Sequence, residues 1–135
     1  MTFEELDARF PNGFDDAYID ALSVDYQNRT AEIHLNLRQN PSDSPDAEEY
    51  QPAVLRLHRF YYFVIEAPDI RHLSYPWRSI QFNAYSEDPI QFPQFESLKA
   101  KLPPDAFCCR FFVHDWNAFI HIAAEQCEFS SSAHP

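Results

Sequence analysis

The sequence predicts an α+β fold, predominantly an antiparallel β-sheet curled into a sandwich or half-barrel, with one or two short helices closing an opening. Three observations carry this. Residues 30–38 alternate strictly, with Ile33, Leu35 and Leu37 on one side and Glu32, His34, Asn36 and Arg38 on the other, the pattern of a strand with one buried and one wet face. Residues 53–65 are rich in aromatic and β-branched side chains. The segment 106–129 divides into two alternating runs around a short polar break.

Taken in order, Thr2-Phe3-Glu4-Glu5 reads as a capping box opening a short helix with Phe3, Leu6 and Phe10 as its apolar stripe. Pro11 and Gly13, the only glycine, end it. Leu22, Val24 and Tyr26 alternate with Ser23 and Asp25, while Ile19 has the opposite parity, so a bulge is expected near Ala21. Gln27-Asn28-Arg29 turns the chain into residues 30–38. Residues 39–50, QNPSDSPDAEEY, have no periodicity and read as an exposed loop. Residues 53–65 are long enough to bend, or to form two strands, around His58-Arg59. Residues 66–78 read as a loop marked by Pro68 and Pro76, followed by a short strand at Ile80, Phe82 and Ala84. Phe95, Leu98 and Leu102 suit a second helix, over 94–102, stopped by Pro103-Pro104. In the last hairpin, pairing His114 with Phe119 puts Cys109, Phe111, Val113, Ile120, Ile122 and Ala124 on one apolar face. Residues 1–129 thus form a single globular domain, and 130–135 a disordered tail.

The 135 residues suffice to bury a core without a metal or disulfide. Net charge is −11, from 21 acids and 10 bases. Such a charge repels phosphate backbones and anionic lipid, which disfavours nucleic acid and membrane surfaces and favours a basic protein partner. Residues 1–69 hold 14 acids and 5 bases, so the excess is concentrated in the first half. Three cysteines, two of them adjacent, do not make a disulfide framework. They imply free thiols in a reducing, cytoplasmic compartment.

No glycine-built phosphate cradle is present, nor any metalloprotease helix motif or nucleophile elbow. The residues therefore name no catalytic group, cofactor or metal. Asp15-Asp16 reads as a pair of turn residues. Two constellations remain. Tyr75, Trp77 and Arg78 make an aromatic–arginine cluster of the kind that anchors interfaces, and Asp43, Asp46, Glu48 and Glu49 can steer a basic partner. The other face of the last hairpin holds Cys108, Arg110, His114, His121 and Cys127, types able to activate a thiolate or ligate zinc, or simply to meet water on a half-exposed surface.

The stretch Asn12-Gly13-Phe14-Asp15-Asp16-Ala17 and the closing FFVHDWNAFIHIAAE run resemble the start and final hairpin of small bacterial domains. Some of those are akin to immunity proteins of contact-delivered toxin systems. Asp15 stands where such domains often carry histidine. The resemblance implies a binding protein and no chemistry. The leading expectation is thus a non-enzymatic acidic module that neutralises a basic partner. A small enzyme using the Cys/His face and a self-associating homodimeric domain are the alternatives.

Overall fold

The structure, a computed structural model, describes residues 5–6, 8–9, 14, 17–38, 49–69, 71, 97–98 and 100–130 in full and residues 80–86 and 131 as backbone. Six strands account for most of it: β1 (Ala17–Asp25), β2 (Thr30–Arg38), β3 (Tyr50–Ile65), β4 (Ile80–Ser86), β5 (Phe107–Val113) and β6 (Ala118–Ser131). All pairings are antiparallel, and the strands close into a barrel in the order β1-β2-β3-β6-β5-β4. The β-rich, antiparallel expectation holds, whereas the sandwich or half-barrel is corrected to a closed barrel. Closure comes from β1, whose first residues pair with both neighbours, Tyr18 with Asn36 on β2 and with Gln81 on β4. Where the sheet is closed it leaves no edge to template association. Helix is scarce among the described residues: Glu5, Leu6, Ser97 and Leu98 are helical, and the rest of the two expected helices lies outside them.

Local sequence explains the strand geometry. The β1–β2 turn is tied by Asp25, which accepts from the Asn28 backbone N–H at 3.1 Å and from its side-chain amide at 2.7 Å. Both bonds favour the ionised form and hold the Asp25 carboxyl below its ordinary value, the backbone bond most strongly. The expected bulge in β1 is present, between Ile19 and Ala21. The long β3 is one strand that bends. Arg59 adopts a left-handed conformation with φ 52°, and the register to β6 shifts between Phe60 and Tyr62. The Arg29 carbonyl accepts from the Phe60 N–H, and the Arg29 Nε donates to the Phe60 carbonyl, both at 3.0 Å. The β1–β2 turn therefore braces the kink in β3.

The barrel interior is packed with side chains. Ile33, Leu35, Leu37, Leu55, Leu57, Phe111, Ile120 and Ile122 are buried, joined by Leu6 and Phe14 from the N-terminal segment. Outward positions on β2, β3 and β6 carry ion pairs instead. Glu32 accepts from Arg56 Nε at 2.8 Å and lies 3.2 Å from His34 Nε2, and His58 Nε2 lies 2.9 Å from Glu128. Apolar inside and charged outside is the inverse of a transmembrane barrel. No helix among the described residues is long and apolar enough to cross a membrane.

Three expectations are corrected. Arg38, expected to be exposed, is buried at the end of β2, where it pairs across the ladder with Tyr50 and its long apolar stem adds to the packed surface. Strand β6 runs to Ser131, so 130 and 131 belong to the sheet, with Ser130 opposite Val54. The last hairpin pairs Phe112, not His114, with Phe119, because a 3-10 turn at His114–Trp116 makes the reversal, capped by Asn117 at φ 48°. A two-residue offset keeps Cys109, Phe111, Val113, Ile120, Ile122 and Ala124 on their expected core face.

The Glu32 carboxyl is held below its usual value of 4.5, chiefly by the Arg56 hydrogen bond. A depressed folded-state value means that this stabilisation is present above pH 4.5 and is lost as pH falls through the lower folded value. The pair is partly solvated, so its contribution is roughly 0.2–1 kcal/mol. Glu32→Gln is expected to lower stability at pH 6–7, and its difference from the parent chain should shrink as pH falls below 4.5 and through the lower folded value. Urea unfolding across that range measures the difference; a constant gap would show that the charge is irrelevant.

Candidate functional site

The mixed face of the β5–β6 hairpin, singled out from sequence, continues onto the outer face of β3. The ladder sets its rows. Val64, His121 and Arg110 lie side by side, and Tyr62, Ala123 and Cys108 form the next row. The centre of this face is covered while its margins, Val64 and His114, are exposed, so the expected half-exposed surface buries its histidine and arginine at His121 and Arg110. His121 is 0% exposed, Arg110 7% and Tyr62 7%, and Tyr62 and Ala123 form a second apolar cluster with Tyr61, Leu102 and Cys108.

Polar and aromatic contacts organise it. Glu66, just beyond β3, accepts from the Phe119 backbone N–H at 2.7 Å, while its own N–H donates to the Phe119 carbonyl at 3.0 Å. Its second carboxylate oxygen lies 3.5 Å from His121 Nε2. The Arg110 guanidinium sits 5.3 Å over the Phe119 ring, a cation–π contact. The Phe119 ring is 5.8 Å from the His121 ring and 5.0 Å from that of Phe112.

Of the five residues read as a possible Cys/His site, the structure brings Arg110 and His121 directly together. Cys108 lies one row away, diagonal to His121, and neighbours at such positions are typically about 7–8 Å apart. Its sulfur accepts from the Tyr62 hydroxyl at 3.6 Å. His114 is exposed in the 3-10 turn against Phe112, with ring centres 5.1 Å apart. Cys127 is corrected outright: it lies in the barrel core opposite Leu57. Alternation in β6 is interrupted at Glu125 and Gln126, beside the Arg59 kink, and this turns Cys127 inward. Burial pushes its thiol up to about 11, which makes it inert as a nucleophile. All three cysteines are free thiols, as expected. Among the described residues no three His, Cys, Asp or Glu side chains are grouped to hold a metal ion. The chemistry of this face is that of an imidazole held beside a carboxylate and a guanidinium, locking the β5–β6 hairpin against β3.

A second polar network stands at the β3 kink. The Tyr61 hydroxyl donates to Glu125, and Arg59 Nη1 donates to the other Glu125 oxygen at 2.8 Å. The Tyr61 bond, more than the Arg59 charge, holds the Glu125 carboxyl below its ordinary value and raises the Tyr61 phenol. Arg29 lies 4.9 Å over the Tyr61 ring. The left-handed Arg29 (φ 56°) and Arg59 (φ 52°) are thus both engaged in holding the bend.

The third feature is a shallow cleft of about 350 Å³ on the outside of β1, β2 and β3, lined by Asp20, Ala21, His34, Leu35, Pro52, Ala53 and Val54. It follows from the β1 bulge, which takes Asp20 out of the ladder. The outward row Ala21–His34–Val54 is short-chained on two of its three strands. Asp20 Oδ2 accepts from Asn36 Nδ2 at 2.5 Å, fixing its carboxylate at the rim. Sequence reading missed Glu66, which it placed in a loop, and Asp20. The bulge at Ala21 was the one available signal for the latter.

Tyr75, Trp77, Arg78, Asp43, Asp46 and Glu48 lie outside the described residues, as do Asp15 and Asp16; Glu49 is exposed at the entry to β3. No family model matches the chain, and neither the curated proteins nor the solved structures contain a match to it.

Proposed function

We propose that this chain is a non-enzymatic, acidic protein-binding module that engages a basic protein partner, an immunity- or inhibitor-like role in a bacterial cytoplasm. The observation that carries the reading is the division of charge. Glu32 and Glu125 on the barrel wall pair with Arg56 and Arg59, and Asp69, just beyond β3, pairs with Arg71. The connection between β2 and β3 instead holds Asp43, Asp46, Glu48 and Glu49 with no lysine or arginine. Clustered acidic charge of this kind attracts a basic surface and raises its association rate. The described residues fill the barrel interior with apolar side chains, which favours recognition on the outer surface. Cys127 in the core and Cys108 in a different row from His121 weigh against the enzyme alternative. Tyr75, Trp77 and Arg78 stand as anchor candidates for the same partner.

The experiment is capture of partners from lysate, followed by association kinetics at two salt concentrations. Neutralising the four acids (Asp43→Asn, Asp46→Asn, Glu48→Gln, Glu49→Gln) is expected to slow association by roughly tenfold at low salt and to flatten its salt dependence, with folding intact. An acidic partner, or an on-rate indifferent to salt and to the four substitutions, would refute the reading.

A further inference from the structure

Closure of the barrel involves only the first three residues of β1. Ala17, Tyr18 and Ile19 pair with Phe82, Gln81 and Ile80 of β4. A bulge between Ile19 and Ala21 then bends the strand, and the ladder to β4 stops there. From Ala21 to Asp25, β1 pairs with β2 alone among the described residues. Along a strand paired on one side, the N–H and C=O groups of alternate residues point away from the ladder and are open to a further strand.

Burial shows the same gap. Leu22, Ile33, Leu55 and Phe129 follow one another across β1, β2, β3 and β6 on the inner side of the wall. Ile33 and Leu55 are 0% exposed, whereas Leu22, at the β1 end of the row, is only half-buried. Val24 repeats the pattern beside the buried Ala31 and Leu57. Two inward apolar side chains therefore meet solvent at this edge, where an added strand would cover them. Outward, Ala21, Ser23 and Asp25 are exposed, and the first two are too small to hold a strand away. Asp25 is the one charged residue of the five. The hydrogen bonds it accepts from Asn28 come from neutral groups, so its carboxylate keeps its charge.

We propose that the β1 edge from Ala21 to Asp25 takes up an extended segment of the basic protein partner as an added strand, with apolar side chains of that segment over Leu22 and Val24 and a lysine or arginine beside Asp25. The inference rests on the acidic-module reading for the charge of the occupant. In such strand addition, main-chain hydrogen bonds supply affinity and alternate side chains supply specificity. The pleat divides the incoming residues between the two sides of the wall, apolar inward and basic outward. Opposite charges at neighbouring cross-strand positions attract and like charges repel, which favours a basic segment beside Asp25. A second copy of this chain, at net charge −11, is repelled as a whole.

The test is a titration of the ¹⁵N-labelled full chain at low salt with the peptide acetyl-Lys-Val-Lys-Val-Lys-Val-Lys-amide. Two controls run in parallel, the same peptide N-methylated at its valines and the analogue with glutamate in place of lysine. Expected are saturable shifts at Leu22, Ser23 and Val24, with slowed exchange at alternate amides of this run. Affinity should fall about tenfold on N-methylation, which removes ladder hydrogen bonds and keeps charge. It should fall at least about fivefold for the glutamate analogue and in Ser23→Lys, which places a like charge at an exposed edge position. Retained spectral dispersion confirms that the variant folds, and the peptide controls test the parent chain without it. Equal binding of the N-methylated peptide overturns strand addition. Equal binding of the glutamate analogue overturns the basic occupant, as do shifts at Leu22 to Val24 that appear on concentrating the chain without peptide. Shifts confined to other residues, or none, overturn the edge, while lysate capture tests the acidic reading by itself.

Discussion

Replacing Phe111 with alanine is expected to destabilise the barrel by about 3–5 kcal/mol, the usual cost of removing a buried phenylalanine. Phe111 is 0% exposed, lies opposite Ile120 across the β5–β6 ladder and points into the same core as Ile122 and Cys109. A closed, filled barrel has little freedom to collapse around the missing ring, so a cavity term adds to the lost transfer energy. Since small domains are stable by only about 5–15 kcal/mol, this one change removes a large part of the total. The informative comparison is the adjacent Phe112, which is half-buried on the outer face against Phe119 and His114. Phe112→Ala should cost far less, on the order of 1 kcal/mol. Urea titration of both variants, with unchanged slope and shifted midpoint, measures the difference. A larger effect at Phe112 than at Phe111 would mean that the hairpin faces are assigned the wrong way round.

The second large effect is expected at Glu66. Its carboxylate and its backbone N–H together hold both polar groups of Phe119, extending the β3–β6 ladder one step beyond the Ile65–Ile120 pair. Hydrogen bonds to a charged acceptor contribute roughly 1.5–3 kcal/mol, and Glu66→Ala should cost about that amount. The loss also takes the carboxylate from beside the fully buried His121. Glu66→Gln keeps an acceptor for the Phe119 N–H and should recover much of the stability. Hydrogen exchange at Phe119 offers a local readout: faster exchange in Glu66→Ala than in Glu66→Gln is expected. Equal protection in the two variants and the parent would show that Glu66 does not moor the strand.

Against the structure, the parts legible in the sequence share one property: they are local. Alternation of period two placed Ile33, Leu35 and Leu37 inside, and it sorted Cys109, Phe111, Val113, Ile120, Ile122 and Ala124 onto the core face although the hairpin register was two residues off. The parity of Ile19 revealed the β1 bulge, and the length of residues 53–65 announced a bend at His58-Arg59. These follow from the pleat, which every residue obeys whatever lies across the sheet.

The tertiary structure decided what depends on distant partners. Whether the sheet stays open or closes is settled where β1 meets β4, a pairing between segments some sixty residues apart that leaves no periodic trace. The kink in β3 occurs at an arginine, where a left-handed turn would ordinarily be signalled by glycine or asparagine. It is held by the β1–β2 turn through Arg29, and beside it Cys127 rotates from the expected polar face into the core. Burial of His121 and Arg110 likewise depends on what packs over the outer face, not on their own strands. The composition carries the net charge of −11, because charge sums over residues irrespective of fold. The cleft on β1, β2 and β3 exists because a bulge, a proline and two alanines on three strands are brought side by side.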